Sequence, residues 1–493
     1  MPELTVVAPL RVEGWAIGGP VRISGMGRAK AEAAGTRLAS EPSRSPVALV
    51  GVAGGIAAGV RPGQLLVATE IRTTDGNVVR VLTGAQEIAR DLRQRGVEVH
   101  TGPLVSSPRV IRSDGGRAEL SESGAMAVDM EAAWLLESLA DRPTAVVRAI
   151  SDSSGHGMVM GGLRALAALR AVRPSLERWA EAVGQHDVVL AAPRSFCAGV
   201  ERAIEIVERA LVRFGAPVYV RRQIVHNAHV VGDLEARGAI FVQELDEVPA
   251  DSVVVIAAHG ISPAIRREAA RREDLRVIDA TCPLVAKVHH AARRYSDQGY
   301  RIALIGHGDH EEVEGTMGEA PGRIRLVERV EDVAALDFGI DDDVAYLTQT
   351  TLATDETATI VSALRDRFPK LHGPSSSDDI CYATQNRQDA VRGLAEVCDL
   401  VLVIGSANSS NTTRLAEVAR RNGCRAELIE DETQLQLSWL GGVSTVGITA
   451  GASAPESLVQ RVVASLGQLG SVRLTEYRST EENVQFALPQ QVR

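Results

Sequence analysis

Short apolar runs, each closed by a glycine-rich polar loop and followed by an amphipathic stretch, recur along the chain. The first, LTVVAPL, reads as a strand. After a second apolar stretch, ISGMGRAKAEAAGTRLA reads as a tight turn entering a helix. VALVGVAGGIAAGVRPGQLLVATEI predicts a buried strand, a glycine loop and another strand, and AVDMEAAWLLESLA predicts a helix feeding the strand TAVVRAIS. GGLRALAALRAVRPSLERWAEAVGQ is helical with one proline interruption and closes this first unit. The pattern restarts near His186 with HDVVLAAPRSFCAGVERAIEIVERALVRFG, a strand, a loop and an amphipathic helix, which sets the expected domains at 1–185 and 186–493. Beyond it SVVVIAAHG, RIALIGHG, DLVLVIGSANSSN and STVGITAGASAP each end in a polar loop before a helix. Such alternation predicts an α/β fold throughout, with ligands at the carboxyl ends of the strands.

Length and charge narrow the picture. A chain of 493 residues is too long for one core and suggests two to four units at roughly 150 residues each. The formal net charge of −10 argues against a nucleic-acid binder held by phosphate contacts. The start, MPELTVVAPLRVEGW, has no basic lead into a long apolar run, and no stretch reaches the ~18 apolar residues of a bilayer span. The expectation is a cytoplasmic protein with no membrane and no nucleic-acid partner.

Cysteine placement changes it further. The five cysteines, Cys197, Cys282, Cys381, Cys398 and Cys424, all lie in the second unit, and an odd number there is no disulfide framework. Cys398 enters an apolar strand and Cys424 sits in RNGCRAE, read as a surface turn; both are expected to be small apolar fillers. The other three occupy strand-to-helix loops, PRSFCAGVERA, DATCPLVAKVHH and DDICYATQNRQ, where a helix N-terminus favours thiolate. Three thiolates without a nearby fourth suit an iron–sulfur cluster with one open iron. Zinc is the competitor, but structural zinc favours close C-x-x-C pairs, and the chain has none. Spacing alone does not bring the three together.

AAPRSFCAGVERAI, IVHNAHVV, AHGIS, DATCPLVAKVH, GHGDHEEVEGTMG, LTQTTLA, DDICYATQNRQ, GSANSSNTTRL and GITAGASAP occur in the order found in the 4-hydroxy-3-methylbut-2-enyl diphosphate reductase family, which the chain resembles from about residue 187 onward. The resemblance implies a trefoil of three small α/β units around a central [4Fe-4S] cluster, one per chain, held by Cys197, Cys282 and Cys381. It implies that His226, His259 and His310, with Ser409, Ser410, Asn411 and Ser453, hold the substrate diphosphate. It further implies that Glu312 and Thr350 deliver protons at the substrate hydroxyl. Neutral donors and imidazoles suit a diphosphate, and a carboxylic acid suits the departure of a hydroxyl as water. The implied reaction is a two-electron reductive dehydration of a small allylic diphosphate to isopentenyl and dimethylallyl diphosphate, the last step of the methylerythritol phosphate route. The implied electron donor is a ferredoxin or flavodoxin. Taken singly, each residue has an ordinary reading as a core imidazole, a helix cap or a turn former; joint occurrence with three cysteine loops favours function. Glu311 stands where the family commonly has proline, beside the acid Glu312.

In the first unit GVAGGIAAGVRPGQLLVATEI, GPLVSSPRVI, AVDMEAAWL and VVRAISDSS resemble the nucleoside phosphorylase and nucleosidase superfamily. The resemblance implies that Met130 and Glu131 hold ribose, that Asp152 protonates a departing purine, and that Glu13 serves as base. Cleavage of a nucleoside, binding without cleavage, and a purely assembling role stay open for this unit. A nucleoside-cleaving enzyme and an iron–sulfur or nucleoside sensor are the competing readings of the whole chain.

Overall fold

The computed structural model describes residues 3–111, 113–139, 142–153, 158–374 and 380–493. Two compact units make up the chain. The first comprises residues up to Asp187 with Thr433–Ser444 and Val462–Arg473; the second comprises Val188–Glu432, Thr445–Arg461 and Leu474–Arg493. Both are α/β. Among the described residues no helix is long and apolar enough to cross a membrane.

The first unit is built on an eight-stranded sheet whose pairings return on themselves. Val47–Gly55 lies parallel to Thr144–Asp152, which lies antiparallel to Leu65–Thr73. Leu65–Thr73 pairs with Val99–Ser106, that strand with Ala127–Asp129, and Ala127–Asp129 again with Val47–Gly55. The ring has no free edge among these strands and encloses a core of Leu49, Leu66, Leu104, Val146 and Ile150. A bulge between Ala53 and Gly54 brings Asp152 opposite Gly54.

The segment AVDMEAAWLLESLA departs from the expected single helix: Ala127–Asp129 is a strand, and only Ala132–Leu136 is helical. Asp129 causes the break. Its carboxylate accepts from the N–H of Ala132 at 3.1 Å, from Ser106 Oγ at 2.6 Å and from Arg148 Nη2 at 2.7 Å, all buried. The chain is thereby pinned to the sheet before the helix begins.

In the second unit one strand order repeats. The first sheet runs Ala239–Val242, Val218–Arg221, Val253–Ile256, Arg276–Asp279, all parallel. The next runs Ile324–Val327, Arg301–Ile305, Val344–Thr348, Leu371–His372, also parallel. In chain order both read second, first, third, fourth. The last sheet begins the same way, with Arg425–Ile429, Leu400–Ile404 and Thr445–Ala450, but its fourth place is filled by His186–Ala192, followed by Val472–Arg478. A strand order that reverses beside the first strand opens a crevice at the carboxyl ends of the first and third strands. Three such crevices supply the functional loops.

Cys424 departs from the expected surface turn. It follows the helix Ser410–Arg421 but packs, 6 % exposed, with Val401, Leu415 and Ala419 in the core of the last sheet.

Candidate active site

Equivalent loops of the three sheets carry equivalent parts of one site. The loop after each fourth-place strand bears a cysteine, and Cys197, Cys282 and Cys381 each occupy the N-cap position of a helix: Ala198–Phe214, Pro283–Asp297 and Tyr382–Val397. The loops after the first strands bear His226, His310 with Glu312, and Ser409 with Ser410 and Asn411; those after the third bear His259, Thr350 and Ser453. All twelve residues line a single cavity of about 730 Å³. Residues 378 and 379, which open the DDICYATQNRQ motif, lie outside the described residues.

The thiols approach one another closely. A Cβ added at Gly199 would lie 2.7 Å from Cys282 Sγ and 3.8 Å from Cys197 Sγ, so only glycine leaves room for the sulfurs there. The helix N-termini supply N–H groups, from Leu284 and Val285 to Cys282 and from Ala383 and Thr384 to Cys381. Burial outweighs them, pushing Cys282 up to about 11 and Cys381 up to about 12. The expected preference for thiolate at these helix ends is therefore not met by the backbone alone at Cys282 and Cys381. Among the described residues no three His, Cys, Asp or Glu side chains close around a single metal-ion position.

Opposite the sulfurs, His226 and His259 stack with ring centroids 4.2 Å apart, and His310 meets them edge-on at 5.6 and 5.7 Å. Both ring nitrogens of His226 are buried without a hydrogen-bond partner, and Nδ1 of His259 has only Glu311 Oε2, 3.5 Å away. Buried polar atoms with no partner are costly, and here they face the same cavity, as groups awaiting a polar ligand do. Ser409 caps the helix Ser410–Arg421, and its hydroxyl receives that of Ser453 at 3.3 Å. Asn411 Oδ1 accepts the N–H of Ala452 at 3.0 Å, which leaves its amide donor aimed at Thr384 Oγ1, 3.3 Å away.

Glu312 is 2 % exposed. Its carboxyl accepts from Thr350 twice, from N–H at 2.8 Å and from Oγ1 at 2.9 Å. Burial nevertheless wins over these bonds and raises its pKa above the ordinary carboxylate range, as a proton donor requires. Thr350 in turn accepts the N–H of Cys381 on its carbonyl at 3.0 Å, so acid, hydroxyl and thiol loop form one connected piece.

Three contributors went unnoticed in the sequence. Thr351 donates to Ser410 at 2.9 Å, and Thr384 receives Asn411. Arg387, 0 % exposed, donates to the carbonyls of Ser195 (2.8 Å), Phe196 (3.1 Å) and Ala383 (2.9 Å) and pairs with Glu482 at 3.0 Å. It ties the Cys197 loop to the Cys381 helix. All three lie inside the motifs LTQTTLA and DDICYATQNRQ.

In the first unit Glu13, Met130, Glu131 and Asp152 also share one recess, of about 910 Å³. Here the carboxylates are already engaged. Glu13 accepts from the N–H of Leu10 (2.7 Å) and Val52 (2.9 Å), and Asp152 pairs with the buried Arg117 and accepts from Ser151 Oγ at 2.6 Å. Glu131 accepts the N–H of Gly27 at 3.0 Å; burial and then the neighbouring Asp129 push it up to about 7.

Comparison with known proteins finds two families along the chain. Residues 13–159 match the phosphorylase superfamily and residues 188–467 match the LytB protein family. The 4-hydroxy-3-methylbut-2-enyl diphosphate reductase of Xanthomonas euvesicatoria pv. vesicatoria is 55 % identical over 312 residues, 62 % of this chain and 97 % of the relative. That of Pseudoalteromonas translucida is 55 % identical over 310 residues, 62 % of this chain and all of the relative. The solved structure of the E-1-hydroxy-2-methyl-but-2-enyl-4-diphosphate reductase from Plasmodium falciparum, 40 % identical, superposes with a TM-score of 0.60 over 63 % of this chain and 97 % of its own. Matched over more than half its length, and spanning nearly the whole of these relatives, the chain belongs to the LytB protein family.

Proposed function

We propose that this chain is a 4-hydroxy-3-methylbut-2-enyl diphosphate reductase. The observation that carries the reading is the meeting of three thiols, a buried carboxylic acid and three imidazoles, of which His226 has both nitrogens unsatisfied, in one cavity. The sulfurs of Cys197, Cys282 and Cys381 fit a [4Fe-4S] cluster: they come from three separate loops into one cavity, Gly199 makes room for those of Cys197 and Cys282, and burial pushes the thiols of Cys282 and Cys381 up, so a cation would favour their ionised form. When bound, that cluster supplies the two electrons, drawn from an external donor of the ferredoxin or flavodoxin type, and an open iron for the alcohol oxygen.

The protein's own residues do the rest. His226, His259 and His310 receive the diphosphate with the hydroxyls of Ser409, Ser410 and Ser453 and the amide of Asn411, exchanging unsatisfied donors for charge-assisted hydrogen bonds. Apolar Val200, Val225, Leu284 and Val285 line the space left for the hydrocarbon and keep water from it. Glu312, whose pKa burial raises, gives a proton at the leaving oxygen, and Thr350 holds the resulting carboxylate. The balance is two electrons and two protons in, one C–O bond broken, one C–H bond formed, and water out.

The test is an anaerobic assay of the reconstituted enzyme with the hydroxylated diphosphate and a reductant. Glu312→Gln is expected to cut turnover by roughly 10²-fold or more with the cluster absorbance intact. Unchanged turnover removes Glu312 from proton delivery.

A second reading concerns the first unit, whose shared recess around Met130, Glu131 and Asp152 supports the binding of a purine nucleoside. Quenching of tryptophan fluorescence by adenosine, with or without release of adenine, separates binding from cleavage.

A further inference from the structure

The three imidazoles of the cavity do not have equal surroundings. With centroids 4.2 to 5.7 Å apart they repel one another when charged, so one at most carries a second proton cheaply. Burial, and after it the neighbouring imidazoles, push His226 down to about 4 and His310 down to about 3. His310 is committed in a second way. Its Nδ1 accepts the N–H of Glu312 at 3.1 Å as the cap of the helix Glu311–Glu319, which leaves its proton on Nε2.

Among the described residues, His259 is the one of the three that an acid approaches within ion-pair distance. Its Nδ1 lies 3.5 Å from Oε2 of Glu311, the first residue of that helix. Burial works against the charge of Glu311, but His259, His226 and Arg222 outweigh it and hold its carboxyl below the ordinary range. Charged groups reach this pair from two segments: Arg222 and His226 from one, and Asp309, His310, Glu311, Glu312 and Glu314 from the other. Arg222 is itself paired with Glu314 at 2.7 Å and with Glu244 at 3.4 Å.

We propose that Glu311 is a positioning residue, holding His259 with Nδ1–H toward its carboxylate and making His259 the cationic imidazole that meets the diphosphate. The inference rests on the reductase reading for the identity of the anion. The pair carries no net charge, like a neutral imidazole, but its positive end is turned to the cavity, so it attracts an anion without placing a second free cation against His226. Glu311 acts only through His259, and its effect belongs in binding more than in the chemical step.

The experiment compares wild-type holoenzyme with Glu311→Gln and Glu311→Pro. The first helical position takes proline without losing an intrahelical bond, so the second variant removes the carboxylate while keeping the helix. KM for the hydroxylated diphosphate is expected to rise roughly 5- to 20-fold near pH 8 in both variants, with a smaller change in kcat. The gap narrows as pH falls, because solvent protons then replace the carboxylate's influence. Glu311→Asp should recover part of the loss. Calorimetry with inorganic diphosphate in two buffers of different ionisation enthalpy should show weaker binding and greater proton uptake in the variants. Equal affinity and equal proton uptake overturn the inference. Absence of turnover in the wild type, with diphosphate binding still dependent on Glu311, overturns the reductase reading and spares this one.

Discussion

The two recesses of this chain differ in how many bonds their polar side chains have already made. In the first unit every acidic side chain expected to act is already bonded: Glu13 to two backbone N–H groups, Glu131 to Gly27, Asp152 to Arg117 and Ser151. In the second, His226, expected to act, is buried with both ring nitrogens unused. A polar group that has made its bonds contributes to folding, whereas one held apart from partners costs stability and is set aside for a ligand. The difference teaches that residue identity at a site says little about readiness; the partners of each atom say more.

The sharpest way to break this contrast is Arg117→Met, which leaves the buried Asp152 without its cation. The first unit is expected to lose ~3–5 kcal/mol. Tryptophan fluorescence in urea reads this selectively, since Trp15, Trp134, Trp179 and Trp439 all belong to that unit. An unchanged midpoint contradicts the assignment of Arg117 as a structural partner.

A smaller effect attends Glu131. Its folded value near 7 lies above the ordinary 4.5, so the fold favours the protonated acid. The stability it lends is complete below about pH 4.5 and is lost as pH rises to about 7. Glu131→Gln should flatten the fall in the melting temperature of the first unit across that window. An unaltered slope shows that Glu131 ionises as freely in the fold as in the unfolded chain.

The smallest change in stability is expected at His226. Because neither ring nitrogen has a partner, His226→Ala should shift the second unit by no more than ~1 kcal/mol, lost packing being offset by the removal of a desolvated imidazole. Diphosphate binding should weaken about 10-fold in the same protein. Circular dichroism and calorimetry together decide it, and a large loss of stability with unaltered binding would make His226 a core residue.

Much of the fold was legible because strands buried on both faces, such as those in SVVVIAAHG and RIALIGHG, end sharply at glycine loops. The cysteine loops and the second-unit site were legible through motifs, while their convergence was not: nothing in local spacing says that the fourth strands of three sheets point their ends at one cavity. The Ala127–Asp129 strand was missed because an apolar run with helical spacing conceals a break made by Ser106 and Arg148, distant in sequence. Arg387 escaped for the same reason, since its meaning lies in the carbonyls of Ser195 and Phe196, far upstream. The engagement of Asp152 by Arg117 likewise depends on tertiary contact alone.

The place of His186–Ala192 beside Thr445–Ala450 has a consequence for how the molecule is made. Of the three sheets that carry the cysteine loops, two take their strands from continuous stretches and can close while synthesis proceeds, but the last must hold its fourth-place strand waiting for partners made long after it. Cys197 hangs from that waiting strand. The three cysteine loops therefore come together only after Thr445–Ala450 has been made.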